Sequence, residues 1–140
     1  MTDPVLSSLV RINRQRIRDL RRRLAPCGYL GVMHLIVLYV RRHPGARQED
    51  VACFYAVDKT SVARDARRLE DMGHLRREVD PDNRRQSQLY LTGAGRDMLP
   101  LLEAAYQAFS EKLSAGISGE DWQTLQALLK RLEENSCPEG

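Results

Sequence analysis

No run of about 18 apolar residues occurs in the chain, which excludes a transmembrane helix of ordinary length. The first residues show no basic start followed by an apolar stretch, so no signal peptide is expected, and the expected location is the cytoplasm. Aromatic residues are only 6% of the 140, so Leu, Val, Ile and Ala must fill the core. Cysteine occurs three times, as Cys27, Cys53 and Cys137. The odd count and irregular spacing match no zinc pattern, and reduced structural thiols are expected. Cys27, in a loop before a helix start, is the candidate if one thiol senses oxidants. His34, His43 and His74 have no metal-ligand spacing among themselves or with the cysteines, so neither metal nor other cofactor is expected. No nucleophile–base pair, phosphate-binding loop or paired-carboxylate arrangement stands out, and no enzyme activity is expected.

Lysine is scarce too. Of 22 basic residues only Lys59, Lys112 and Lys130 are lysines, so the basic surface favours forked, bidentate contacts. The net charge of +3 is weak, but its distribution is uneven. Residues 1–47 carry +8, residues 48–92 carry −1 and residues 93–140 carry −4. Hydrophobic content of 42% and charged content of 29% describe an ordinary globular chain of one domain's length.

The informative stretch runs from Gln48 to Thr92. Within it, Val62, Ala66 and Leu69 share one face of a helix by their i, i+4, i+7 spacing. Thr60, Ser61, Arg64, Arg67 and Arg68 fall elsewhere and mostly point outward. Asp58 is placed to cap this helix and Gly73 to end it. A shorter helical pattern, Gln48–Tyr55, precedes it, with Val51, Ala52 and Tyr55 inward; Phe54 and Tyr55 are expected to pack the core. After it, residues 74–79 and 88–91 read as two strands around the turn-forming residues 80–85. A helix pair followed by a hairpin with a basic tip is a winged helix–turn–helix pattern. Arginines and short hydroxyls on an outer helix face suit a DNA major groove.

This stretch resembles the DNA-binding domain of the MarR family of bacterial transcription regulators. The resemblance is carried by residues 58–62, Arg64, residues 68–70, Gly73, Asp80-Pro81, Arg84-Arg85 and Leu91-Thr92 with Gly95. It implies that Lys59, Thr60, Ser61, Arg64, Arg67 and Arg68 meet the major groove and its phosphates, and that Arg84 and Arg85 meet the flanking minor groove. The chain departs from the family at several positions. Asn83 stands where an acid precedes the wing arginine Arg85, leaving Asp80 or Asp82 to take that place. Ala63 stands for a frequent hydroxyl residue and Arg67 for a frequent Asp. Ala56 stands for a frequent Gly, and Arg47 for a hydroxyl cap.

The flanks complete the expected fold class: mainly α with a small β-hairpin, a winged helix–turn–helix domain between N- and C-terminal dimerisation helices. The chain is read as one domain over 1–140, with a DNA-binding lobe at 46–92 and dimerisation helices at 4–24 and 96–136. Residues 4–24 form a helix with a broken apolar stripe among seven arginines. Leu30 to Arg42 reads as a buried second helix, with Leu30, Met33, Val37 and Val40 on one face. Residues 96–117 read as helical, with Pro100 tolerated if it falls in the first turn and bending the helix otherwise. Residues 118–134 form another, with Trp122, Leu125, Leu128, Leu129 and Leu132 in a stripe, and residues 135–140 are expected to fray. The resemblance implies a homodimer on double-stranded DNA at a pseudo-palindromic operator. It also implies repression released by a small aromatic or anionic effector or by an oxidant. Arg14, Tyr29, His34 and Tyr39 are the candidate effector contacts. The alternative is a winged-helix protein–protein module that does not bind DNA, a reading the −1 of residues 48–92 favours.

Overall fold

The computed structural model describes residues 3–137, which divide into two compact units, up to Gln107 and from Ala108 onward. Seven α-helices and one hairpin follow in order: α1 Pro4–Leu24, α2 Met33–Arg42, α3 Gln48–Tyr55, α4 Lys59–Asp71, β1 Leu75–Val79, β2 Ser87–Leu91, α5 Gly93–Asp97, α6 Leu99–Leu113 and α7 Gly119–Ser136. This is the mainly helical, winged helix–turn–helix class expected. The unit boundary falls within α6.

The core of the first unit is built from short apolar faces. Met33, Ile36, Val37 and Val40 of α2 meet Val51 and Ala52 of α3, Val62, Ala66 and Leu69 of α4, and Leu75, Leu89 and Leu91 of the hairpin. Leu20 and Leu24 of α1 and Leu102 and Ala105 of α6 join the same cluster. Burying each Val or Leu fully contributes about 1.5–3 kcal/mol, so these spaced residues suffice without aromatic bulk. The strands pair antiparallel from Leu75↔Leu91 to Val79↔Ser87. Ala46 bridges Leu89 on the other edge of β2, with the Leu89 N–H donating to the Ala46 carbonyl at 2.8 Å. The hairpin is thereby tied to the chain just before the helix pair.

Several elements differ from expectation. Helix α2 begins at Met33, because Gly31 adopts φ +53° and Val32 caps the helix. Leu30 is consequently 48% exposed, while Ile36 takes the inward position. Phe54 is 68% exposed, since α3 is short and turns only Val51 and Ala52 fully inward. Residues 96–117 are not one helix. Pro100 lacks an N–H and its ring excludes the carbonyl four residues back, so a helix continuing from α5 cannot pass it. The chain breaks at Met98, and Pro100 falls in the first turn of α6, where it is tolerated. Gly95 allows a close approach: a Cβ there would lie 2.1 Å from the His74 carbonyl oxygen. Asn135 and Ser136 are helical, and the fraying expected for residues 138–140 lies outside the described residues.

The turn between α3 and α4 is strained at one position. Ala56 is the only non-glycine residue with positive φ among those described, at +53°. A Cβ in this left-handed region costs roughly 1–2 kcal/mol. Ala56→Gly should therefore raise the unfolding free energy by about 1 kcal/mol after glycine's greater chain entropy is counted. Urea denaturation of both proteins checks this.

In the second unit, the Ser118 hydroxyl caps α7 by accepting the Asp121 N–H at 3.1 Å. None of the residues of α7 is buried, and Leu125, Leu128 and Leu132 form an exposed apolar stripe.

Candidate nucleic-acid interface

Helix α4 carries the candidate site. Asp58 caps it, accepting the Ser61 N–H at 3.0 Å and the Ser61 hydroxyl at 2.5 Å. Those bonds, the hydroxyl's first, hold the Asp58 carboxyl below its ordinary range. Ser61 is therefore engaged in the cap and half-buried, while Lys59, Thr60, Arg64, Arg67 and Arg68 are exposed. Lys59 lies 3.4 Å from Glu49 of α3.

Beneath this face lies a residue that pattern reading passed over. Asp65 is fully buried. Its Oδ1 accepts from Arg64 Nε and from Arg68 Nη1, each at 3.2 Å, and its Oδ2 accepts the Val32 N–H at 2.8 Å. Both arginines remain about half exposed. The available signal was positional: Asp65 sits at i+3 from Val62 and i−4 from Leu69, on the inward stripe. Gly31 makes room for it, because a Cβ at that glycine would lie 2.4 Å from Asp65 Oδ2.

The wing holds its own shape. Asp80 accepts the Asp82 N–H at 2.9 Å and the Arg47 guanidinium at 2.6 Å, and these bonds lower its carboxyl pKa. Arg85 N–H donates to Asn83 Oδ1 at 3.1 Å. Asp80 thus pairs with Arg47 rather than with Arg85, and among the described residues Asp82 forms no ion pair with Arg85. Asn83 shapes the wing through backbone capping instead of through a carboxylate. Arg84 and Arg85 are exposed at the tip. At Arg47, where a hydroxyl cap was absent, Asp50 reaches back to accept the Arg47 N–H at 2.9 Å.

The −1 of residues 48–92 misrepresents this surface. Asp65 and Asp80 are buried against arginines, and Glu70 and Glu78 are bonded to Arg77 and Arg76. Those four acids are drawn into pairs, while Arg67, Arg84 and Arg85 remain exposed, as do Asp71 and Asp82.

A cavity of about 530 Å³ opens beside α4. Its lining includes Arg16 and Leu20 of α1, His34 of α2, Tyr55 of α3, Arg64 of α4 and Tyr106 of α6. His34 Nδ1 lies 2.5 Å from the Tyr106 hydroxyl. Of the candidate effector contacts, only His34 lines this cavity. Tyr29 is buried elsewhere, bonded to His74 Nδ1 at 2.8 Å, and Tyr39 stacks with His43 and Phe54. Arg14 is exposed on α1, and its near neighbour Arg16 faces the cavity instead. Cys27 is half-buried, and Cys53 and Cys137 are exposed, all as free thiols.

Burial first, and then the Arg16 charge, push the His34 pKa down to about 4 from an ordinary 6.5. Below that ordinary value the unfolded chain takes up the proton more readily than the folded one, so stability falls as pH drops. The loss should reach about 3 kcal/mol near pH 4 from this residue. Comparing urea denaturation of wild type and His34→Gln between neutral pH and pH 4 checks it, with a flatter profile expected for the variant.

Comparison with known proteins places these features. The sequence pattern described as the MarR family matches residues 33–87. The uncharacterized HTH-type transcriptional regulator YybA of Bacillus subtilis is 30% identical over 102 residues, covering 73% of this chain and 68% of that protein. A putative transcriptional regulatory protein for the hcr operon of Thauera aromatica is 31% identical over 105 residues, covering 75% of this chain; the chain spans 61% of that relative's length. A crystal structure of MarR superposes with a TM-score of 0.87 at 29% identity, over 97% of this chain and 95% of that one. That of the transcriptional regulator SlyA gives 0.85 at 25% identity, over 95% and 94%. With its helix pair, wing and exposed arginines on the same pattern, this chain belongs to the MarR family of DNA-binding transcription regulators.

Proposed function

We propose that this regulator is a homodimeric repressor that reads a pseudo-palindromic operator and is released by a small anionic molecule. The observation that carries the reading is the outer face of α4, where Arg64 and Arg68 are held by a buried carboxylate while remaining open to solvent. Lys59, Thr60 and Arg67 extend that face toward the major groove and its phosphates, and Arg84 and Arg85 serve the adjacent minor groove. The lobe at 46–92 does the reading, and the helices at 4–24 and 96–136 join two copies. Supporting the second part are exposed apolar stripes on both flanks: Val5, Leu6 and Val10 of α1, and Leu125, Leu128 and Leu132 of α7. A second copy would cover them and set two recognition helices about one DNA turn apart.

The effector reading rests on the cavity. His34 and Tyr106 are uncharged at neutral pH, since burial pushes the tyrosine up to about 12 and the histidine down. Arg16, Arg21 and Arg64 then supply the charge, and Leu20, Leu35 and Leu38 an apolar floor. That lining suits a small acid with an apolar body, and it favours this signal over oxidation at Cys27. No helix is long and apolar enough to cross a membrane among the described residues, consistent with work in the cytoplasm.

Fluorescence-anisotropy titration of the protein's own promoter fragment, repeated with scrambled DNA across salt concentrations, tests the proposal. A preference for the promoter that persists as salt weakens both complexes is expected. Equal affinity for the two sequences would sink it.

A further inference from the structure

We infer that Asp65 is a positioning residue for operator discrimination: its buried carboxylate sets the direction of Arg64 and Arg68 before DNA arrives. This rests on the proposal that α4 meets DNA, and it adds a role for a side chain that itself reaches no solvent.

A guanidinium on a flexible stem samples many rotamers and finds phosphates as readily as base edges, so it adds affinity without sequence preference. Fixing the stem beforehand removes part of the ordering cost of docking and admits only those base edges that match the fixed fork. Asp65 supplies such a fixture. Its Oδ1 is shared between Arg64 Nε and Arg68 Nη1, one turn apart on the helix. Arg64 is bound through its inner Nε, leaving its two terminal nitrogens for DNA. The carboxylate is itself immobilised, because Oδ2 accepts the Val32 N–H at the start of α2, and Gly31 closes over the same oxygen.

Charge acts in the same direction. The Asp65 carboxylate, in contact with both guanidinium groups, offsets one of their two positive charges. Sequence-independent attraction to phosphate is thereby reduced while the geometry of both arginines is kept.

The test is Asp65→Asn in the full-length protein. The amide is nearly isosteric and can still accept the Val32 N–H. Affinities for the promoter fragment and for scrambled duplex are measured by anisotropy at several salt concentrations. The promoter-to-scrambled ratio should fall by about tenfold or more, summed over two copies. Affinity for scrambled duplex should hold or rise several-fold, with a steeper salt dependence. A ratio within twofold of wild type in a folded variant overturns the inference. A wild-type protein with no promoter preference fails the underlying proposal instead, so the two failures are distinguishable. If Asp65→Asn does not fold, NMR of wild-type arginine Nε–H groups decides. A resolved, slowly exchanging Arg64 signal, assigned by its loss in Arg64→Lys, supports the inference. An Arg64 signal averaged with the solvent-exposed arginines overturns it.

Discussion

Arg64→Ala should weaken operator binding by about 30-fold to 10⁴-fold. A specific arginine–base contact is worth about 1–3 kcal/mol, and the proposed homodimer would lose two of them, which gives about 2–6 kcal/mol at tenfold per 1.4 kcal/mol. The variant should still fold, because Asp65 keeps its bonds to Arg68 and the Val32 N–H. Arg64→Lys should fall between wild type and alanine: the charge survives, but the Nε–H that meets Asp65 and the fork beyond it do not. Arg85→Ala at the wing should cost less, about tenfold, since its anchor is a backbone bond to Asn83 and its guanidinium has no buried ion-pair partner among the described residues to preset it. Anisotropy titrations of the three variants against one promoter fragment check the ranking. If Arg64→Ala and Arg85→Ala both bind as tightly as wild type, the reading face is misassigned.

The second large effect concerns association. Leu125→Glu with Leu128→Glu should convert the protein to a monomer at micromolar concentration. The two residues sit i, i+3 on α7, and both are exposed in a single chain, Leu128 at 57%. Leu125 is 39% exposed, so covering what remains open contributes about half of the 1.5–3 kcal/mol of a full burial per leucine, and two copies bring four of them. Losing even the lower figure, about 3 kcal/mol in all, raises the dissociation constant by roughly two orders of magnitude, before the cost of burying four carboxylates is added. Sedimentation equilibrium measures the mass, and DNA affinity should fall with it. A double variant that stays dimeric would place the interface elsewhere.

How much of this was legible in the sequence depended on distance along the chain. Helix α4 was readable end to end, because its inner stripe, the Asp58 cap and Gly73 lie within a few residues of one another. The hairpin was readable for the same reason. Pro100 carried the break at Met98 in plain view, but the apolar spacing through residues 96–117 favoured a continuous helix. Phe54 misled because aromatic character suggested burial, whereas the face it occupies is decided by α3's length. Asp65 was missed because an acid on an apolar stripe looks like an interruption, and the Val32 N–H that justifies it lies 33 positions away. The cavity was the least legible feature. Arg16, His34, Tyr55 and Tyr106 converge from four helices, and no local pattern announces a meeting across such separations.

On the proposed function, two copies of this chain grip one duplex through matched arginine-bearing helices. The direct measurement is hydroxyl-radical footprinting of the promoter fragment, with the mass of the same complex determined in solution. Two protected patches about one helical turn apart on one side of the duplex, in a complex holding two chains, are the predicted result. A single patch bound by one chain, or uniform protection indifferent to sequence, would contradict it.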